Sequence, residues 1–561
     1  GNAGSAGSAG QSANGSITST TGNITIDGVR DIALTNSNVT TGGAVKIDPV
    51  NVALTGSAIS GGSVTIDPVT NLTLTNSSIT ATAGDIAINN TGVFSSNTDN
   101  SLKATGKISL RQSAMGSIQN AINAVGNYAS ALLTLGSGTF SNGFALIGNS
   151  NFTVTGQGAT GVNATIIKPA TVDSTNLVNL TGPWAAQNYK GIILAQDASN
   201  VTVSNLAVDA SLLSTLPGTV GNVPVLYSNA SGAVNDVKIT GGASSTHGLF
   251  AFASSDKGHG ARTVAANNVD SSGNWWGAAL ALGNQATLTI TNSTLNGSAG
   301  TFALNFMNGA HGSVTDSTLT SGSIGGVGFY DANNVTIKGG SITGNGSATK
   351  GVTDEGVGFG VAAATNITVD GVTISNLGDG VVANGGSDWT IKNNTIHDVS
   401  NNAVRVDNTG SLIVDGNVIY STGGNAVDVA NSASASISNN FIGFTDKLGG
   451  QGTAGNIKGD GIKLTLSDST LVDGNKVIDA LGNGINSDDS SNLIITNNTL
   501  TNIAGNGINA VNSGSLTISG NSGNAIDGAA INVNGSAGVQ ITGNDFFDVA
   551  KNALAGIVVD G

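Results

Sequence analysis

Seven residues in the C-terminal half of the chain have side chains suited to chemistry and spacings that could bring them together. Arg405, Asp428 and Lys463 each stand two positions after a recurring Gly or Ala. On stacked repeats they fall side by side, in a row that reads Val382, Arg405, Asp428, Lys463, Asn486, Asn509, Asn532 and Val558. A carboxylate between two cations can move a proton to or from a substrate oxygen. Asp379, His397, Asp398 and Tyr420 fall in the same stretch. Imidazole, carboxylate and phenol together can bind a sugar or exchange protons with it. The candidate catalytic residues are therefore Asp398, Arg405 and Asp428. The candidate glycan-binding residues are Asp379, His397, Tyr420 and, far upstream, Trp276. Adjacent strand residues point to opposite faces, which would give one of Trp275 and Trp276 to the core and leave one to stack on a sugar. Each set also has a plainer reading, and residue types alone favour it. The charged row can be a solubilising ladder worth under about 1 kcal/mol per pair, and the rest ordinary polar surface.

What must position these residues is a repeat. One Asn recurs at Asn394, Asn417, Asn440, Asn475, Asn498, Asn521 and Asn544, in steps of 23 residues broken by a single step of 35. A small-residue column keeps pace with it: Gly380, Ala403, Ala426, Gly461, Gly484, Gly507 and Ala530. A fixed period of this size marks a solenoid. Runs such as LIVDGNVI and LIITNNTL alternate apolar and polar residues and then break at Asn or Gly, which is strand and turn with no room for a helix. The expected fold class is all-β, a parallel β-helix of about two dozen coils, with one short helix near residues 117–125. The Asn column reads as a structural ladder of side-chain hydrogen bonds, at corners whose left-handed backbone Asn and Gly tolerate. The small column reads as a wall with no space for larger side chains. Two longer steps, near residues 344–356 and 443–458, place insertions at one phase of the repeat. Such insertions project from one edge, and would flank a trough whose floor carries Asp379, His397, Asp398 and Tyr420.

Composition narrows the partners. Net charge is −15, and only 9% of residues are charged, which argues against nucleic acid. No apolar run reaches the length of a membrane span, so membrane insertion is not expected. Cys is absent and the four His are scattered at 247, 259, 311 and 397, so no metal site and no cofactor are implied. The acidic balance is compatible with calcium, but no calcium motif stands out. The chain opens on GNAGSAGSAG and stops within what reads as another coil. The expectation is a mature or clipped piece of a longer exported precursor.

The organisation expected is a Gly/Ala/Ser-rich segment (1–15), N-terminal β-helical repeats (16–112), a helix-containing junction (113–170) and a main parallel β-helix (171–561). The N-terminal repeats carry Asp27, Asp48 and Asp67 in TIDGV, KIDPV and TIDPV. Their phrases GSVTI, LTLTNSSITATAGDIAI and LKATGKISL resemble the repeats of filamentous-haemagglutinin-like bacterial surface adhesins. In the junction, SIQNAINAV spaces Ile118, Ala121, Ile122 and Val125 as a helix face. With the following TVTGQG it resembles the opening of pectin-lyase-like right-handed β-helix domains. NNVDSSGNWWG, residues 267–277, is similar to the Asn-Trp-Trp-Gly motif of extracellular β-helix repeat proteins. Asp488-Asp489 matches the Asp-Asp of polygalacturonase-like hydrolases only superficially, and the Gly-His-Gly at His259 lies far from it in sequence. The resemblance implies a right-handed β-helix at the bacterial cell surface or in an extracellular matrix. It implies a structural or adhesive protein, forming a stiff rod or filament by association with itself, head-to-tail or laterally, and by weak repeated contacts with polysaccharide. Two alternatives come with it: a polysaccharide lyase, hydrolase or epimerase acting along the β-helix surface, and a passive stalk domain of a giant adhesin.

Overall fold

The computed structural model describes residues 12–13, 15–28, 30–67, 70–97, 100–125, 130–141, 143–169, 176–182, 185–213, 220–242, 246–344, 349–355, 362–447, 456–549, 551 and 556–560. Most of the Gly/Ala/Ser-rich start and parts of both insertions lie outside them. The chain is an all-β parallel solenoid of about 21 turns. Among the described residues it has one α-helix and one 3-10 turn. It divides into two units, Gly1–Trp275 with Gln285–Leu288, and Trp276–Asn284 with Thr289–Gly561.

In the first unit the early coils stack in register. Asp31–Thr35, Asn51–Thr55 and Asn71–Thr75 pair side by side and parallel, so Leu34, Leu54 and Leu74 form one buried column. Stacking identical apolar residues keeps the interior dry at every coil, and burial stabilises by about 25 cal/mol per Å². The helix Ile118–Val125 buries Ile118, Ala121, Ile122 and Val125, the face expected from its spacing. Later coils of this unit have longer strands, such as Val201–Asp209 and Gly232–Thr240. These bend where Asn205 and Asp236 take the left-handed conformation, φ 53° and 55°.

In the second unit most coils have three short strands, as in Thr395–Val399, Val404–Asp407 and Leu412–Asp415. Each pairs parallel with its counterpart one coil on, giving a first, a middle and a third sheet. Alternate residues face inward, and Ile396, Val404 and Leu412 are buried.

The expected asparagine ladder is present. The backbone N–H and Nδ2 of Asn394 both donate to Oδ1 of Asn417, each at 2.9 Å. Asn417 repeats this toward Asn440, and the chain of bonds runs through Asn475, Asn498 and Asn521 to Asn544. Each Nδ2 also reaches a strand carbonyl, for example Ile391 from Asn417 at 2.9 Å. The left-handed turn sits one residue earlier than expected, at Asn393, Gly416, Asn439, Gly474, Asn497, Gly520 and Gly543. The ladder Asn must turn its side chain inward and start the next strand, so the residue before it makes the corner.

The small column also behaves as expected. A Cβ on Gly484 would stand 2.6 Å from the carbonyl oxygen of Gly507, and one on Gly380 2.4 Å from that of Ala403. Backbone from the neighbouring coil fills the space.

Candidate functional site

The middle sheet of the second unit aligns the charged row. Val382, Arg405, Asp428, Lys463, Asn486, Asn509, Asn532 and Val558 are successive register partners. Arg405 is exposed, Asp428 and Lys463 are partly so, and Val382 is buried. Signs alternate, yet among the described residues no ion pair joins Arg405, Asp428 or Lys463. Asp428 Oδ2 instead accepts from Asn402 Nδ2 at 3.1 Å. Further along, Asn532 donates to Asn509 at 2.7 Å and Asn509 to Asn486 at 2.9 Å, an outer row of carboxamides. A hollow of about 280 Å³ lies against Arg405, Asp407 and Asp428.

The first sheet carries the aromatic candidates. His397 and Tyr420 are register partners one coil apart. Their rings stack with centroids 4.8 Å apart and planes within 1°. Asp398 Oδ2 lies 2.7 Å from His397 Nδ1. That hydrogen bond is the largest influence on Asp398 and holds its carboxyl below the usual carboxylate range. Burial raises the Tyr420 phenol, and the Asp398 charge adds to it. Asp398 and Ser421 both take left-handed backbone, φ 53° and 59°, within their strands. Left-handed residues inside strands re-aim side chains. The preceding coil offers only Ser375 beside His397.

The structure thus brings His397, Asp398 and Tyr420 together. Asp379 does not join them. It begins a middle-sheet strand beside Lys350, is 6% exposed, and accepts the Asn402 backbone N–H at 3.1 Å. Its carboxylate serves the corner between coils, which corrects its expected place on an open floor. Lys447, from one insertion, reaches Asn393 at 3.2 Å.

Trp276 also differs from expectation. It lies in a bend, not a strand, so strand alternation does not apply. Trp276 is partly buried, and its carbonyl accepts from Thr301 Oγ1 at 2.7 Å. Trp275 is the more open indole, at 62% exposure.

A second cluster lies on the same outer row as Arg405 and went unread in the sequence. Asn305, Gly328, Thr353 and Val382 are successive register partners. Beside Thr353, Glu355 pairs with Lys350 and accepts the Thr353 hydroxyl at 2.9 Å. Burial, and then the charge of Glu355, pushes the Tyr330 phenol well above its ordinary range. The insertion near residues 344–356 broke the period here. Carrying the small column upstream to Gly351, Gly326 and Ala303 would have found it, since Thr353, Gly328 and Asn305 stand two positions on.

Among the described residues no group of three or more His, Asp or Glu gathers to hold a metal. No described helix is long and apolar enough to cross a membrane.

The right-handed β-helix region family matches residues 257–387 and 379–546, together just over half of the chain. No curated protein sequence matches. Among solved structures, the A-module of Azotobacter vinelandii mannuronan C-5 epimerase AlgE6 is 15% identical with a TM-score of 0.35, covering 79% of this chain and 93% of that one. Tailspike protein 3 of bacteriophage CBA120 is 10% identical with a TM-score of 0.28, covering 73% of this chain and 54% of that one. A mannuronic acid specific polysaccharide family 6 lyase from human gut microbiota is 8% identical with a TM-score of 0.30, covering 70% and 86%. At these scores the likenesses carry no argument about this chain's chemistry.

Proposed function

The chain belongs to the right-handed β-helix family, and from that premise we propose that it is an extracellular adhesive β-helix that binds polysaccharide on its second unit. The observation that carries this reading is the His397–Tyr420 stack, two parallel rings on adjacent coils with the Asp398 carboxylate beside them. Aromatic faces meet the C–H face of a sugar, and a charged carboxylate accepts its hydroxyls. Coils about 4.8 Å apart let an extended chain touch one after another. The amides of Asn486, Asn509 and Asn532 supply neutral donors and acceptors along the middle sheet, and the exposed Arg405, which has no ion-pair partner among the described residues, offers its charge to an acidic sugar. Many weak contacts of this kind add by effective concentration, as suits a surface layer or matrix.

The direct test is binding of the full chain to a panel of neutral and acidic polysaccharides. The double variant His397→Ala/Tyr420→Ala should lose retention on whichever glycan the parent binds. Equal retention would remove the stack from the proposal, and no retention of the parent on any glycan would end it. Self-association into rods is part of the same proposal, and light scattering that stays monomeric at high concentration would count against it.

One observation favours a second, catalytic reading. Lys350 and Glu355, both partly exposed, place a cation and a carboxylate at the surface, with the Thr353 hydroxyl and the raised Tyr330 phenol buried behind them. Such a set can hold a sugar and move a proton. Turnover of a glycan that disappears in Lys350→Met and Glu355→Gln would support it.

A further inference from the structure

The third sheet of the second unit presents an outward row in which Thr390, Ile413, Ser436, Leu471, Ile494 and Thr517 are successive register partners. Ile413 is 43% exposed and Ile494 47%, and Leu471 is partly exposed. On either side the row is polar, with Thr368 before Thr390 and Gln540 after Thr517. Three aliphatic side chains therefore face outward within four adjacent coils. A lone exposed aliphatic residue needs no explanation, but a cluster along one row marks a contact surface.

A second outward row runs two positions further along each strand. Its charged members are Asp370, Lys392, Asp415 and Asp473, and its hydroxyls are Ser438, Thr496, Ser519 and Thr542. The two rows are self-complementary about one point. Reversing the coil order about the midpoint between Ser436 and Leu471 sets Ile413 opposite Ile494, and Ser436 opposite Leu471. In the second row the same reversal sets every charge against a hydroxyl: Asp415 meets Thr496, Asp473 meets Ser438, Lys392 meets Ser519 and Asp370 meets Thr542. Along these rows no like charges face each other, which would oppose pairing.

A two-fold axis along the strand direction performs this reversal, because it inverts coil order and keeps position along the strand. A two-fold axis along the solenoid would do the opposite. It would lay Ile413 over Asp415 and Leu471 over Asp473, and carboxylates pressed against aliphatic side chains are costly.

We propose that two copies of this chain pair antiparallel, third sheet on third sheet, about the midpoint between Ser436 and Leu471. The overlap spans the eight coils from Asp370 to Thr542. With about 13 Å of strand and 4.8 Å of stack per coil, each copy contributes about 500 Å². A total of about 1,000 Å² is the lower end for a specific interface, so the pair is weak and concentration-dependent. The contact is isologous and closes at two copies. It names the face and orientation for the self-association proposed above, and it leaves the His397–Tyr420 stack on the first sheet outside the contact.

Sedimentation equilibrium on the full chain tests the pairing. The parent should reach dimer and no larger species as concentration rises. Ile413→Lys and Ile494→Asp, both at exposed positions, should each weaken dimerisation by about ten-fold or more at an unchanged melting temperature. The variant carrying both substitutions should regain most of that loss. In the antiparallel pair the new cation at position 413 meets the new carboxylate at position 494 of the other copy, whereas within one chain the two stand three coils, about 14 Å, apart. A parent that stays monomeric overturns the pairing together with the self-association above, and leaves glycan retention to its own test. A parent that associates while both single variants associate equally well overturns this face alone. Single variants that weaken association, with no recovery in the double variant, overturn the antiparallel arrangement.

Discussion

The imidazole of His397 lies flat against the phenol of Tyr420, one coil away, with ring centroids 4.8 Å apart. Strand register sets this spacing, because two outward aromatic residues at matching positions have nowhere else to go. Tyr420→Phe should keep glycan retention and Tyr420→Ala should lose most of it, about ten-fold or more in apparent affinity. Affinity electrophoresis in gels containing the bound glycan measures this.

The Asp398 carboxyl is held below the usual range, first by its hydrogen bond from His397. Lowering the pH through the ordinary carboxylate range should therefore leave it charged. Glycan retention should persist there and fall only below that range, while Asp398→Asn should be weak at every pH. A retention curve that drops together with free carboxylates would contradict this.

Asn475 stands in the middle of the ladder. Replacing it with Ala removes the acceptor for two Asn440 donors and the donor to Ile437. The cost should be about 3 kcal/mol. Asn544 is partly exposed, so water can replace some of its bonds, and Asn544→Ala should cost clearly less. Guanidinium unfolding of both variants measures the difference.

Gly484→Val would drive a side chain into the Gly507 backbone, which already lies 2.6 Å from where a Cβ would be. Overpacking against backbone should destabilise by roughly 1–3 kcal/mol or more. A melting temperature equal to the parent's would show that the wall yields.

His247 is fully enclosed in the first unit, and burial lowers its pKa to about 3. The unfolded chain protonates near the ordinary value of about 6.5, while the folded chain does not until about pH 3. Stability from keeping this ring neutral is thus full above about 6.5 and is lost progressively as pH falls toward 3. The total is on the order of 5 kcal/mol. His247→Gln should flatten the pH dependence of the first unit's unfolding over that window.

Much of this architecture was legible in the sequence for a simple reason. The 23-residue period fixes which residues are neighbours, so the row from Val382 to Val558 and the ladder from Asn394 to Asn544 could be read as adjacency. What period alone cannot specify is depth and local backbone. Val382 proved buried, Asp379 turned to the coil corner, and the left-handed residue fell one place before each ladder Asn. Trp275 and Trp276 escaped strand logic because they occupy a bend. The cluster at Lys350, Thr353 and Glu355 was missed because an insertion interrupts the count just before it, although Gly351 keeps the phase.

The ladder also makes the chain's length an editable quantity. Each ladder Asn offers the same donors to the same acceptor one coil on, so a junction is chemically indifferent to which coil supplies its other half. Removing one whole repeat, Gly484–Asn506, would leave Asn475 facing Asn521 and Gly461 facing Gly507. The seam restores the contacts that were cut. A gene encoding such a coil can gain or lose turns by unequal exchange without inventing a new interface, whereas any cut that is not a whole turn leaves every strand beyond it out of step.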